Sequence, residues 1–289
     1  MAFSYTAKRE DLYRPYARGN YFPRGVPNSE PGLCAEIARL AYCRGNVGSG
    51  FDVGQMTAVL SRVGFNVFRF FEGQHKPMGA NIHGFLASRS DVANHSKLTI
   101  LAFRGTDADD PTDLCADASV GLTEWKTAGK VHSGFAEALE DVRVDIQNAL
   151  ASVEGRLLFT GHSLGAAIAT LLATVHQPSV LYTFGSPRVG DHDFATSLDD
   201  VRIRRYVNCC DLIPRMPPDE LGYVQGGPLF YIDREQRVIA GPEDSYMEED
   251  HLLARESYLR HYAWKVGNVA VRDLADHAPL NYAAALMSS

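Results

Sequence analysis

Gly161-His162-Ser163-Leu164-Gly165 sets a serine between two glycines. An apolar run that reads as a strand (RLLFT, 156–160) precedes it, and an Ala- and Leu-rich run that reads as a helix (164–176) follows. A sharp strand-to-helix turn of this kind holds a serine side chain out at the carboxyl end of a sheet. The glycines let neighbouring backbone approach without Cβ clashes. The N-terminus of the following helix can stabilise a developing oxyanion. The chemistry suggested is nucleophilic acyl transfer. A purely structural serine in a tight turn is the competing reading, and the flanking strand and helix weigh against it.

A serine hydroxyl is a weak nucleophile at neutral pH and needs a base with an oriented acid. Sheets that carry this turn place the partners in the chain order Ser, acid, His. His277 is the candidate base, in a loop (276–282) ahead of a short terminal helix. His251 and His261 fall on a predicted long helix as surface or packing residues. His192 lies too soon after Ser163 to follow the acid. Asp211 is the candidate acid, because it directly follows the predicted strand VRIRRYVN and so stands at the carboxyl edge. Asp273 and Asp276 are nearer His277 in sequence, but adjacent residues seldom orient each other's side chains. An Asp211 that merely caps a turn before Ile213-Pro214 stays open.

The elements that must position these residues follow a βαβ rhythm. Strands are expected at 63–71 and 81–89 as a hairpin-like start, then at 98–103 (LTILAF), 156–160, 180–185 and 201–207. LTILAF is apolar throughout, as a strand covered on both faces requires. Helices are expected at 32–43, 134–152, 164–176 and 246–266, and a hairpin at 229–233 and 237–240. The fold class is therefore α/β, with a mainly parallel sheet and helices on both faces. Pro15, Pro23, Pro27 and Pro31 suggest an extended N-terminal arm over 1–31, and residues 32–289 read as one domain. Leu252, Leu253, Leu259, Tyr262 and Trp264 could cap an acyl site, but core packing is the favoured assignment.

The chain has 289 residues and a formal net charge of -7, without the basic face that nucleic-acid binding needs. No run approaches the length of a bilayer span, and the first residues lack a secretory pattern. The five cysteines (Cys34, Cys43, Cys115, Cys209 and Cys210) lack metal-ligand spacing and read as reduced, mostly buried thiols. A cytoplasmic location is expected on these grounds, with a mature secreted form, or export by another route, left open. No metal or organic cofactor is implied.

Six segments, AFRGT (102–106), VHSGF (131–135), TGHSLGAAIA (160–169), YTFGSPRVGD (182–191), YVNCCDLIPRMPP (206–218) and DHAPLNY (276–282), together resemble the class 3 lipase family. They occur in that family's order across about residues 33–285. The resemblance implies an α/β-hydrolase fold and a carboxylic-ester hydrolase with Ser163, Asp211 and His277 as its triad. It places the oxyanion hole at Thr106 and the backbone N–H of Leu164, and it makes His132 structural. It implies an ester or lipid substrate and allows transient contact with a membrane or lipid interface. A phospholipase A1-type activity, or a silent hydrolase fold used for binding, remains an alternative. Two departures stand out. Similar lipases often carry a Trp in the stretch matching 113–117, where Leu114 stands here. The loop 107–113 holds four aspartates and only Ala108 and Pro111 as apolar residues, a poor oil-binding lid that favours smaller or more soluble esters.

Overall fold

The computed structural model describes residues 4–45, 50–73, 82–91, 96–105 and 121–288. Helices α1 (Arg9–Tyr13), α2 (Glu30–Leu40) and α3 (Val53–Arg62) lead into strands β1 (Asn66–Glu72), β2 (His83–Asp91) and β3 (Ser96–Phe103). A small hairpin of β4 (Leu122–Glu124) and β5 (Lys130–His132) precedes α4 (Ser133–Leu150). Then come β6 (Arg156–His162), α5 (Leu164–Val175), β7 (Val180–Phe184), α6 (His192–Ser197) and β8 (Ile203–Asn208). The chain closes with β9 (Leu229–Ile232), β10 (Val238–Ala240), α7 (Asp244–His261), α8 (Arg272–Ala275) and α9 (Pro279–Ser288).

Eight strands form one sheet in the order β1-β2-β3-β6-β7-β8-β9-β10. The stretch from β3 through β9 is parallel, and the two ends are antiparallel hairpins. Period-two alternation divides the core between the two faces. Ile100, Ala102, Leu158 and Tyr182 pack with Leu33 and Ile37 of α2, Leu60 of α3 and Leu286 of α9. Leu101, Phe103, Phe159 and Leu181 turn the other way, onto Leu139 and Ile146 of α4 and Ile168 and Leu172 of α5. A strand such as β3 thus contributes apolar side chains to both layers, and water reaches neither. That is the physical reason its sequence lacks the alternation of a half-exposed strand. Among the described residues, no helix is long and apolar enough to cross a membrane.

Three expectations need correction. The arm is not extended throughout, because Arg9–Tyr13 contains no proline and winds into α1. Pro15 then opens a single 3-10 turn, a first-turn position where its missing N–H costs nothing. Helix α2 begins at Glu30 rather than at 32, since Ser29 Oγ accepts the Gly32 N–H at 3.2 Å and Pro31 is tolerated in the first turn. Of the apolar residues assigned to the core after 242, Leu252, Leu259 and Trp264 stand 68%, 53% and 86% exposed.

His83 opens β2 in an apolar setting, edge-on to Phe51 at 5.5 Å. It is buried, and neither ring nitrogen has a hydrogen-bond partner among the described residues, Glu72 Oε1 lying 3.8 Å from Nδ1. Burial first, and then the Arg104 charge, lower its pKa to about 3. Below about pH 6.5 the unfolded chain binds a proton that the folded chain refuses until about pH 3. The contribution of neutral His83 is therefore complete above that window and is lost as pH falls through it, at about 1.4 kcal/mol per pH unit. His83→Phe should remove this slope. Urea unfolding at neutral pH and at pH about 5 would show it as a smaller acid-induced loss of stability than in the wild type.

Candidate active site

Ser163 sits between β6 and α5 with φ 57° and ψ -129°, a region that L residues rarely occupy. The surrounding backbone leaves it no other course. A Cβ on Gly161 would stand 2.3 Å from the Gly165 backbone, and one on Gly165 would stand 2.4 Å from the Phe103 carbonyl oxygen. The turn therefore folds against itself and against the end of β3 at distances that only glycine allows. The Ser163 N–H donates to the Phe184 carbonyl at 3.0 Å, tying the turn to β7.

His277 comes from the loop between α8 and α9, and Asp211 from the turn after β8. His277 Nε2 lies 3.0 Å from Ser163 Oγ, while its Nδ1 lies 2.9 Å and 3.0 Å from the two Asp211 carboxylate oxygens. With Nδ1–H donating to the carboxylate, Nε2 is left as the acceptor for the serine hydroxyl, the tautomer a general base needs. All three side chains are buried. The rival acids are engaged elsewhere. Asp273 pairs with Arg255 at 2.5 Å. Asp276 accepts from Arg272 Nε at 3.0 Å and from the Cys210 N–H at 2.9 Å, and burial pushes its carboxyl up to about 6 against the pull of Arg272. Among the rival histidines, His192 and His261 are exposed, and His251 lies 3.0 Å from Arg215 Nη2. His132 is buried and stacked on Phe135 at 4.1 Å.

Four further residues complete the site, and sequence reasoning missed them. Tyr282 donates its hydroxyl to Asp211 Oδ2 at 2.5 Å and accepts the Asn208 N–H at 3.1 Å. Burial and the neighbouring carboxylate raise the phenol pKa well above its ordinary value, so it remains a donor. His162 Nε2 lies 2.8 Å from the His277 carbonyl oxygen, and its Nδ1 lies 2.8 Å from Tyr42 Oη. Burial, and next the adjacent His277, hold His162 well below its usual pKa. It is thus neutral, donating through Nε2–H to the loop that carries His277 and accepting from Tyr42. Gly185, at φ 58°, faces the acid–base pair, where a Cβ would stand 2.8 Å from Asp211 Oδ2 and 3.0 Å from the His277 ring. Tyr282 and Gly185 lie inside motif segments already quoted. Their roles are invisible without the third dimension, because each acts on a partner distant in sequence.

Leu164 is the first residue of α5, where a backbone N–H has no carbonyl within its own helix. That amide stands next to Ser163 and is available to an anion. Thr106, the acidic loop 107–113, Leu114 and Cys115 lie outside the described residues. Gly105, just before Thr106, packs so tightly that a Cβ would stand 2.0 Å from Tyr42 Oη.

The model of the family "Lipase (class 3)" matches residues 100–221. The secreted mono- and diacylglycerol lipase 1 of Fusarium solani is 37% identical over 114 residues, which are 36% of this chain and 34% of that protein. The triacylglycerol lipase OBL1 of Arabidopsis thaliana is 27% identical over 258 residues, covering 69% of this chain and 48% of that one. The chain thus spans between a third and about half the length of these curated relatives. A crystal structure of a lipase from Rhizopus microsporus var. chinensis superposes with a TM-score of 0.57 at 28% identity, covering 72% of this chain and 76% of that one.

Likeness to a secreted lipase overturns the cytoplasmic location expected from the sequence. The cysteine argument behind that expectation was weak in physical terms. Cys34, Cys43, Cys209 and Cys210 are free and buried, and thiols that no oxidant reaches stay reduced in any compartment. The matched stretch from β3 to beyond β8 and the solved neighbours agree: the chain has an α/β-hydrolase fold and over residues 100–221 is similar to the class 3 lipase family.

Proposed function

We propose that the chain is an extracellular carboxylic-ester hydrolase working through an acyl-Ser163 intermediate. The observation that carries this reading is the unbroken series Ser163 Oγ, His277, Asp211, Tyr282, each joined to the next by a hydrogen bond of 3.0 Å or less. As Ser163 Oγ attacks the ester carbonyl, His277 Nε2 takes its proton. Asp211 stabilises the imidazolium so formed. The tetrahedral oxyanion is received by the Leu164 N–H and by Thr106. Collapse returns the proton from His277 to the leaving alcohol, and a water activated by the same nitrogen then releases the acid.

The substrate is proposed to be a lipid or smaller ester. Curated relatives carry the names mono- and diacylglycerol lipase, triacylglycerol lipase and phospholipase A1. The acidic composition of 107–113 favours soluble or short-chain esters over oil. Residues 32–289 are proposed to act as one catalytic unit, with 1–31 as an arm bound to it. Thr6 and Asn281 exchange hydrogen bonds of 2.8 Å and 2.9 Å between arm and terminal helix.

A fluorophosphonate probe should label Ser163 in the folded protein and leave Ser163→Ala unlabelled. A folded wild type that resists the probe would show instead a silent fold used for binding. Asp211→Asn is expected to lower kcat by about 10³–10⁴-fold, because an amide cannot hold the same tautomer against a forming cation. Tyr282→Phe removes one charge-assisted hydrogen bond and should lower kcat about tenfold with little change in KM. Nitrophenyl esters of increasing chain length, run beside triolein emulsion and phosphatidylcholine, should show a preference for the short, soluble members. Triolein as the best substrate would sink the soluble-ester reading.

A further inference from the structure

The segment joining α7 to α8 opens with a tight turn in which Trp264 is 86% exposed and Val266 fully exposed. Exposing a tryptophan to water forgoes one of the larger gains available from burial. Yet this turn is firmly built. Tyr258 and Tyr262 stack behind it at 5.4 Å, Tyr5 meets Tyr262 edge-on at 5.6 Å, and the Tyr258 hydroxyl donates to the Val269 carbonyl at 2.7 Å. Backbone bonds also tie it to the arm, from the Arg9 N–H to the Gly267 carbonyl at 2.8 Å and from the Val269 N–H to the Ala7 carbonyl at 2.7 Å. The apolar tip is therefore held out by its surroundings.

The charge around the tip runs against that of the chain. The protein carries a net -7, but Lys8, Arg9 and Arg14 of the arm line a cleft of about 970 Å³ together with Val266, and Lys265 stands between the two apolar residues. Among the described residues, Glu10 is the one carboxylate lining that cleft. Arg260, at the end of α7, is already paired with Glu256 at 2.5 Å. An exposed Val beside a cation-lined cleft, with an exposed Trp two residues before it in the same turn, matches a surface that is apolar below and anionic above.

We propose that the turn Trp264-Lys265-Val266, with Lys8, Arg9 and Arg14, is a docking site for an anionic phospholipid surface. Trp264 and Val266 enter the interface while the cations meet lipid phosphates and carboxylates. The site lies outside the stretch 100–221 matched by the family model, and it goes beyond the proposed ester hydrolysis without depending on it.

The chain has two tryptophans, and Trp125 is buried with its indole N–H on Thr174 Oγ1 at 2.8 Å, so fluorescence changes at the surface report Trp264. Adding vesicles of equal parts phosphatidylcholine and phosphatidylserine to the whole protein should shift its emission to the blue and carry the protein into the pellet. Vesicles of phosphatidylcholine alone should do neither. Trp264→Ala should abolish the shift and weaken partitioning about tenfold. Lys8→Ala/Arg14→Ala/Lys265→Ala should weaken it about a hundredfold, at about fivefold per cation, and high salt should mimic that loss. Both variants should hydrolyse a soluble nitrophenyl ester at the wild-type rate without vesicles, which separates this proposal from the hydrolase reading. Equal binding to both vesicle types, or undiminished binding by Trp264→Ala, overturns the proposal. Concentration-dependent dimerisation abolished by Trp264→Ala, with no vesicle binding, overturns it in favour of a second copy as the occupant.

Discussion

The backbone of Ser163 is the constraint on which the remainder of the site depends. Its φ of 57° costs of the order of 1–3 kcal/mol and persists only where surroundings over-determine it. They do so here by close approach. Gly161 meets Gly165 across the turn, Gly165 meets the Phe103 carbonyl at the end of β3, and the Ser163 N–H is held by Phe184 of β7. Strand β6 lies between β3 and β7 in the sheet, so both walls of the turn are central strands buried on two faces. Relaxing the serine would mean parting strands in the middle of the core. One contorted residue thereby projects its hydroxyl toward His277 and presents the Leu164 amide beside it.

The imidazole opposite that serine, His277, lies on a loop. The structure compensates with a buried polar network. His162, next to Ser163 in sequence, holds the His277 carbonyl, and Tyr42 fixes the tautomer of His162. Tyr282, one turn beyond the loop, holds the Asp211 carboxylate and is itself held by the Asn208 N–H. Buried polar groups that lack partners are costly, so a network in which each member serves two others resists partial disruption. The two tyrosines also join α2 and α9, neighbours on the same face of the sheet, to the chemistry. Packing of that helical layer and alignment of the base are one problem, with one solution.

The parallel strands and the serine turn were legible in the sequence because burial on both faces and a glycine-flanked turn each leave a local signature. Asp211 and His277, chosen from chain order, come within hydrogen-bond reach of each other and of Ser163, because topology sets where their loops end. What escaped was short or reciprocal. Strands β4 and β5 have three residues each, too few to show a period, and α3 went unmarked. Gly185 looks like any loop glycine until Asp211 and His277 are placed against it. Helix α7 misled for a more specific reason. Its buried residues are Asp250, His251, Ala254 and Tyr258, with Asp250 satisfied by Tyr231 and Arg234, while Leu252 and Leu259 are exposed. A helix that buries an aspartate and sets two leucines among exposed Glu248, Glu249, Glu256 and Arg260 blurs the rule by which periodicity assigns faces.

The arm shows how far the support of the His277 loop extends. Asn281, fully buried, exchanges hydrogen bonds with both backbone groups of Thr6 and donates to the Ala275 carbonyl at 2.9 Å. It thus bridges the arm, the end of α8 and the start of α9, on either side of His277. Arg272, in α8, stacks over the Tyr5 ring at 5.2 Å and pairs with Asp276, which holds the Cys210 N–H beside Asp211. The turns carrying Asp211 and His277 are joined through Asp276 without either of those side chains being used. The arm is thereby tied, through Thr6 and Tyr5 rather than through its cations, to the two turns that carry Asp211 and His277.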